Sequence, residues 1–175
     1  MRLVDAPVSG GVVRAGEGKL LIMTSSRPAD RHDADEVLAA LGDPVKVVGD
    51  LPGDGQVVKL VNQLLCGVHI VAAAEALALA TRLGVPAADA WDTVRHGAAA
   101  SFMLDDRGQR MVDKDFDVVR SAVDIFVKDM GLVTAAAHAH GMNSILAQAA
   151  QQVYVDASEA GLGKKDDASI ITRYL

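Results

Sequence analysis

The stretch that most constrains the fold runs from Gly55 to Leu83, where apolar residues face every side of a predicted helix. The stretch contains no proline, and the next residue, Gly84, is typical of a helix C-terminus. At 1.5 Å per residue such a helix would be roughly 40 Å long. Because a surface helix has one polar face, this pattern predicts a central helix that other elements cover on every side.

The same helix is the one segment of the sequence that could be considered a membrane span. Its most apolar part, residues 64–80, contains His69 and Glu75 and is rich in alanine. It is also shorter than the ~20 strongly apolar residues that a span needs. We therefore predict a buried core helix, with His69 and Glu75 as two separately satisfied buried groups, and no membrane partner.

Pro52 divides the sequence into two parts of different character. Beyond it the pattern predicts only helices: the long helix, residues 87–96, 102–112, 121–140 and 144–160, and a short last helix after Asp166 or Asp167. Before it the pattern predicts strands at 2–6, 19–24 and 45–48, a loop at 7–11 and a helix at 29–41. The predicted fold class is an α/β segment at 1–52 followed by an all-helical domain at 53–175. Three short strands and one helix are few for an independent domain, so we expect residues 1–52 to be the end of a larger one.

Charge and cysteine content exclude several function classes. The net charge is −6 and basic residues are not clustered, which argues against nucleic acid as a partner. Cys66 is the single cysteine, and the N-terminus lacks a signal-peptide pattern, so a cytoplasmic location is expected. His138 and His140 are two residues apart on a predicted helix and face different directions. We predict surface or partly buried histidines there and no metal site.

Lys59 is the strongest candidate for proton transfer. It lies in the first turns of the long helix among valines and leucines, and Asn62 and Gln63 follow it by three and four residues. This spacing puts all three side chains on one helical face. Burial disfavours a charged lysine and lowers its pKa toward the working range of a general acid or base. The alternative interpretation is a lysine whose ammonium group reaches solvent from the first turn.

Two further segments carry candidate binding groups. Ser9, Gly10 and Gly11 follow Pro7-Val8 in a predicted loop whose backbone N–H groups could converge on a carboxylate, although these residues alone favour an ordinary strand-ending turn. Lys128 and Asp129 form an adjacent charged pair within an apolar helix, where Lys128 could pair locally with Asp124 or contact a ligand. The glycines at 53 and 55 do not open a βαβ unit, so we do not interpret them as a cofactor-phosphate loop.

Three of these stretches together resemble the β-hydroxyacid dehydrogenases, the family of 3-hydroxyisobutyrate dehydrogenase and tartronate semialdehyde reductase. They are Asp5-Ala6-Pro7-Val8-Ser9-Gly10-Gly11, Gly53-Asp54-Gly55-Gln56-Val57-Val58-Lys59 and Phe126-Val127-Lys128-Asp129. The resemblance covers nearly the whole chain and is greatest to the L-threonate dehydrogenase branch. It implies an all-helical domain like the C-terminal domain of 6-phosphogluconate dehydrogenase after the end of a Rossmann-type domain. It also implies oxidation of a small hydroxy acid such as L-threonate or 3-hydroxyisobutyrate with NAD or NADP.

The resemblance also implies a role for each candidate residue. Ser9, Gly10 and Gly11 would hold the substrate carboxylate, Lys59 would be the general acid/base, and Lys128 would lie near the cofactor. Many members have asparagine four residues after the lysine, where this sequence has Gln63. The substrate-positioning amide is therefore either Asn62 or Gln63.

One part of the family pattern is missing from this sequence, the G-x-G-x-x-G strand–turn–helix that binds the cofactor pyrophosphate. We therefore expect a C-terminal part of an enzyme that alone binds NAD or NADP weakly, shows no turnover and associates through an exposed strand edge. A homodimer or higher homo-oligomer is expected because apolar helix surface exceeds what one chain can cover. The alternative is an inactive helical dimerisation remnant. Imine-reducing relatives are less favoured, since they usually lack a lysine at position 59.

Overall fold

The computed structural model describes residues 2–175, which divide into two compact units that meet in sequence between Asn62 and Gln63. The elements of the N-terminal unit are β1 (Val8–Ser9), α1 (Gly11–Gly16), β2 (Leu21–Ser25), α2 (Pro28–Arg31), α3 (Asp35–Leu41), β3 (Val45–Gly49) and the start of α4 (Asp54–Arg82). Those of the C-terminal unit are the rest of α4, α5 (Ala87–Val94), α6 (Phe102–Asp113), α7 (Val123–Ala139) and α8 (Ile145–Ala157). A π-helical turn, Ser158–Leu162, and a 3-10 helix, Asp167–Arg173, end the chain.

The N-terminal unit is built on a three-stranded sheet in the order β1-β2-β3. β1 pairs with β2 antiparallel, with Val8 opposite Ile22, and β2 pairs with β3 parallel, with Ile22 opposite Val45. Ile22 and Met23 of the central strand are 1% and 3% exposed. A strand buried on both faces and bounded by two partners explains the continuous apolar run that predicted it.

The start of the sheet differs from the prediction. A strand was expected at 2–6, yet only Asp5 makes a ladder contact there, a bridge to Ser25. The strand lies instead at Val8–Ser9, inside the predicted loop, and α1 follows directly. Pro7 has no N–H for a ladder, and the side chain of Asp5 is bonded to the start of α4, so residues 2–6 do not continue as a strand. The predicted helix at 29–41 is also interrupted, by a 3-10 turn at His32–Ala34.

The long helix predicted from its apolar pattern is confirmed as α4, which begins at Asp54 and ends at Arg82. Its length and composition would suit a membrane span, but one face of its second half packs in the protein core, formed by Ile70, Val71, Ala73, Ala74, Leu77 and Ala78. The expectation that it is covered on every side is not met within one chain: Val57, Val61 and Leu65 are 61%, 56% and 47% exposed. Glu75, expected to be buried, is exposed, and His69 is half-buried.

The core of the C-terminal unit forms where α7 and α8 pack on α4. The rings of Phe126 and Tyr154 stack with centroids 5.1 Å apart, and the Tyr154 hydroxyl donates to the Gly67 carbonyl over 3.0 Å. A Cβ added at Gly67 would lie 2.2 Å from Sδ of Met130, so α4 and α7 approach closely because residue 67 has no side chain. This packing brings the next helical turns, with Gln63 on α4 and Asp129 on α7, opposite each other.

Candidate functional site

A glycine turn follows β1 and holds the first group of predicted site residues. Ser9 is half-buried and pairs with Leu21 in the β1–β2 ladder. Gly10 has φ 143°, and a Cβ there would lie 2.8 Å from Cβ of Arg14. Gly11 is exposed and has φ 67°. Both backbone conformation and close packing therefore require glycine at position 10.

The start of α4 is fixed by Asp5, a residue that the sequence reasoning did not single out. Its Oδ2 accepts from the backbone N–H groups of Gly53 at 3.0 Å and Gln56 at 3.1 Å. Its Oδ1 accepts from Nε2 of Gln56 at 2.7 Å. Asp5 thus satisfies N–H groups at the helix N-terminus that have no intrahelical partner, as an N-cap residue does, although it lies 48 residues before Gly53.

Ser25 completes this arrangement, which we call the Asp5 clamp (Asp5, Ser25, Gly53, Gly55 and Gln56). The Ser25 hydroxyl donates to Asp5 Oδ2 over 3.2 Å and accepts from the Gly55 N–H at 2.9 Å. A Cβ at Gly55 would lie 2.6 Å from the carbonyl oxygen of Met23, so the second glycine permits close contact between α4 and the sheet. Burial raises the pKa of Asp5, but bonds from Gln56, Gly53 and Ser25 outweigh it and leave that pKa below its usual value.

Lys59 lies on the second turn of α4, half-buried, and Asn62 is half-buried one turn further along. The clamp fixes the backbone at the start of the helix from which Lys59 extends. The N-terminal unit therefore contains Ser9, Gly10, Gly11, Lys59 and Asn62 of the predicted site residues.

In the C-terminal unit, the other two predicted site residues, Gln63 and Lys128, contact the same carboxylate, that of Asp129. Gln63 Nε2 donates to Oδ2 of Asp129, and Nζ of Lys128 lies 2.9 Å from Oδ1 of the same carboxylate. Asp129 is buried at 7% exposure, whereas the Lys128 side chain is 66% exposed. Asp124, the other partner considered for Lys128, accepts instead from the Ser158 hydroxyl at 2.6 Å.

A buried ion-pair network, also missed by the sequence reasoning, joins α6 to the last helix. Arg107 makes two bonds to Asp167, at 3.0 and 3.1 Å, and Arg110 donates to Asp166 over 2.5 Å. Both arginines also bond to Asp106. The available signal was the cluster of two acidic and two basic residues at 105–110, together with Asp166-Asp167. These residues stabilise the packing of α6 on the last helix, and they are not part of the candidate site.

No metal centre is formed by residues 2–175, since no three His, Cys, Asp or Glu side chains converge. His138 and His140 are both exposed.

Comparison with protein families identifies the family of this chain. Residues 53–175 match the family described as NAD-binding of NADP-dependent 3-hydroxyisobutyrate dehydrogenase. The chain belongs to the 3-hydroxyisobutyrate dehydrogenase family. Residues 1–49 match the NAD binding domain of 6-phosphogluconate dehydrogenase. The predicted resemblance and fold class, the end of a nucleotide-binding domain followed by a helical domain, are both confirmed.

Individual relatives agree with this assignment. L-threonate dehydrogenase of Escherichia coli is 43% identical over 171 residues, which cover 98% of this chain and 56% of that protein. L-threonate dehydrogenase of Cupriavidus necator is 44% identical over 170 residues, 97% of this chain and 57% of that protein. The chain thus spans a little over half the length of these curated relatives.

Solved structures of the family share the fold. The crystal structure of 3-hydroxyisobutyrate dehydrogenase from Salmonella typhimurium has a TM-score of 0.93 and 46% identity, and the match covers 98% of this chain and 60% of that one. The Mycobacterium tuberculosis 3-hydroxyisobutyrate dehydrogenase with L-serine has a TM-score of 0.85 and 26% identity, with 97% and 60% covered.

Proposed function

We propose that this chain is the substrate-side part of an NAD(P)-dependent dehydrogenase that oxidises the CH–OH group of a small hydroxy acid. L-threonate is the first candidate and 3-hydroxyisobutyrate the second. Within this proposal residues 1–52 end the nucleotide-binding domain and residues 53–175 form the catalytic and dimerisation domain. The observation that carries it lies within the C-terminal unit, where Gln63 bonds to Asp129 and Lys128 pairs with the same carboxylate.

Each candidate residue has a role in that reaction. Ser9, Gly10 and Gly11 bind the substrate carboxylate through the hydroxyl and the backbone N–H groups of the glycine turn. Neutral Lys59 accepts the proton of the reacting hydroxyl, and its ammonium form returns it in the reverse direction. Asn62 and Gln63 supply amide contacts that hold the substrate oriented for transfer.

Lys128 is suited to contact a nicotinamide dinucleotide. The Lys128 side chain is largely exposed. Its ammonium group has three N–H donors and the Asp129 carboxylate does not use all of them, so the ammonium can also donate to a polar group of the cofactor. A bound nicotinamide would supply the acceptor for the hydride that leaves the substrate carbon. We assign Lys128 to cofactor binding, and either NAD or NADP satisfies this assignment.

We also propose a cytoplasmic homodimer or higher homo-oligomer. Exposed apolar residues along the first half of α4, including Val57, Val61 and Leu65, support association with a second copy. Sedimentation that gave only monomer at micromolar concentration would contradict it.

The proposed activity can be tested with a chimera. The part of E. coli L-threonate dehydrogenase that precedes the matched region is fused to the start of this chain. Reduction of NAD and NADP is then followed with L-threonate and with 3-hydroxyisobutyrate. Turnover with either acid supports the proposal. A folded, nucleotide-binding chimera that turns over neither acid would instead favour the inactive dimerisation remnant.

A further inference from the structure

Three side chains near the C-terminal end of β2 have buried polar atoms with no hydrogen-bond partner among residues 2–175. These atoms are Oγ1 of Thr24, Oγ of Ser26 and Nη1 of Arg31. Thr24 and Ser26 are both fully buried. A buried polar atom without a partner destabilises a protein, so such atoms are rare and need an explanation such as a bound water or ion. Three of them in so short a segment indicate that a polar ligand binds here.

The hydroxyls of Thr24 and Ser26 lie on one side of β2. Between them, Ser25 turns its hydroxyl to the opposite side, where it belongs to the Asp5 clamp. Successive side chains of a strand alternate between its two faces, so Thr24 and Ser26 share the face of Ile22. A Cβ at Gly42, the residue after α3, would lie 2.9 Å from Cγ1 of Ile22. The two hydroxyls therefore face the segment that connects β2 to β3, which we call the crossover (residues 27–44).

Arg31 is in the first part of the crossover, at the end of α2. Among the described residues, it is the basic residue of the segment 27–35 that has no carboxylate partner. Arg27 pairs with Asp30 over 3.2 Å, and Nδ1 of His32 lies 3.9 Å from Asp35. Arg31 as a whole is half-buried, yet its Nη1 is buried. Its guanidinium group thus brings an unpaired positive charge into the protein at this end of the sheet.

The chemistry of the three groups suits an oxyanion. A guanidinium group only donates hydrogen bonds, and a hydroxyl can donate as well as accept. Side chains two residues apart on a strand are separated by roughly 7 Å. One tetrahedral oxyanion with a hydrogen bond of about 2.7 Å on either side spans such a distance. Phosphate, which arginine binds particularly well, satisfies all three groups, either as the free ion or as the phosphoryl group of a small ester.

We propose that Thr24, Ser26 and Arg31 form a phosphate-binding site at the C-terminal end of β2. A bound phosphate would join the crossover to the sheet and stabilise the N-terminal unit. The site is separate from the glycine turn, because Ser9 pairs with Leu21 at the start of β2 and Ser26 follows roughly 17 Å further along the strand. The proposal is therefore independent of the proposed dehydrogenase function. Since Arg31 is only half-buried, the rest of a phosphate ester can extend into solvent.

Thermal unfolding of the 175-residue chain in inorganic phosphate tests the proposal. The melting temperature should rise with phosphate concentration and not with sodium chloride at the same ionic strength, because a ligand of the native state stabilises it by mass action. Titration calorimetry then gives the Kd for phosphate. Arg31→Met should raise this Kd at least about tenfold, the scale of a hydrogen bond to a charged group. Arg27→Met, in the same segment but paired with Asp30, is the matched control and should leave the Kd unchanged.

A second variant, Thr24→Val, separates phosphate binding from a purely structural role. It removes an unpartnered hydroxyl and retains the shape of the side chain, so without phosphate its melting temperature should equal or exceed that of the wild type. In phosphate, its melting temperature should rise less than that of the wild type. Ser26→Ala should reduce the response to phosphate in the same way.

Glycerol 3-phosphate distinguishes the two sources of the phosphoryl group. Tighter binding of this ester than of inorganic phosphate identifies an ester as the ligand, and equal or weaker binding identifies the free ion. A melting temperature that responds to phosphate no more than to sodium chloride would overturn the proposal, since the three groups would then bind water only. An equal response to phosphate in the wild type and Arg31→Met would also overturn it, because the ion would bind elsewhere.

Discussion

The two units use aspartates in opposite ways. In the Asp5 clamp one half-buried carboxylate accepts mainly from neutral donors, among them two backbone N–H groups at the start of α4. In the ion-pair network Asp166 and Asp167 are fully buried and face the guanidinium groups of Arg107 and Arg110. The clamp orients one end of a helix, whereas the network holds two distant segments together by charge.

This difference has an energetic consequence. Loss of a capping carboxylate leaves donors that water can still reach, which costs little. Loss of one member of a buried ion pair leaves its partner charged and without solvent, which costs more than the pair itself contributes. Substitutions in the two regions should therefore have different magnitudes and a different dependence on pH.

The largest effect is expected in the network. Arg110→Met keeps most of the side-chain volume but leaves the buried Asp166 without a guanidinium, while Asp106 keeps that of Arg107, and should lower the free energy of unfolding by about 3–5 kcal/mol. Urea unfolding followed by circular dichroism measures it. Lys165→Met, which breaks the exposed pair with Asp117, is the control and should change little. Equal effects of the two variants would show that burial does not determine the cost.

A variant at Gly67 tests how much close packing, without any change of charge, contributes to the stability of the C-terminal unit. Gly67→Ala places a Cβ against Met130 and should destabilise the protein by about 1–3 kcal/mol. Gly131→Ala is the matched control, because its Cβ would lie 3.5 Å from Nε2 of Gln151, an ordinary contact. That variant should be neutral or stabilise α7 by up to ~1 kcal/mol. Thermal unfolding should give a lower melting temperature for Gly67→Ala and an unchanged or higher one for Gly131→Ala, and an equal fall in both would show that the contact with Met130 is not the cause.

A smaller effect is expected in the clamp. Asp5→Ala removes the acceptor for Gly53 and Gln56 and should cost about 1 kcal/mol, the scale of a helix cap. Amide hydrogen exchange should be faster at residues 53–58 and unchanged in α7. The control is Asp50→Ala in the neighbouring loop. Protection that stayed the same at residues 53–58 would mean that the clamp does not hold the start of α4.

The smallest effect is a difference in acid sensitivity. The folded-state pKa of Asp5 lies below its unfolded value of about 3.9, so its stabilisation is present above that pH. It is lost as the pH falls through the folded pKa. Asp5→Asn should flatten the fall in stability below about pH 4, as unfolding curves across that range would reveal. An unchanged slope would show that the carboxylate charge contributes nothing.

The sequence predicted what depends on local pattern and missed what depends on distant partners. α4 could be predicted because its apolar run has no proline and ends at Gly84. The prediction of a strand at 2–6 was wrong because the side chain of Asp5 bonds to Gly53 and Gln56, which follow it by 48 and 51 residues. No spacing rule connects such positions.

The candidate site shows the same division. Lys59 and Gln63 could be placed on one helical face from their spacing alone. The joining of Gln63 to Lys128 through Asp129 could not, because Gln63 and Asp129 are 66 residues apart and meet only through the packing of α4 on α7. The local salt bridge considered for Asp124 and Lys128 had the right spacing, yet Asp124 bonds to Ser158.

The proposed roles of the two lysines are tested most directly by comparing their substitutions in the chimera. Lys59→Ala should lower kcat by ~10²-fold or more, the usual scale for a general acid/base, with the nucleotide Kd nearly unchanged. Lys128→Ala should weaken nucleotide binding first, and Lys164→Ala, an exposed lysine near the C-terminus, should alter neither quantity. If Lys59→Ala changed only the nucleotide Kd while kcat was retained, the assignment of proton transfer to Lys59 would be contradicted.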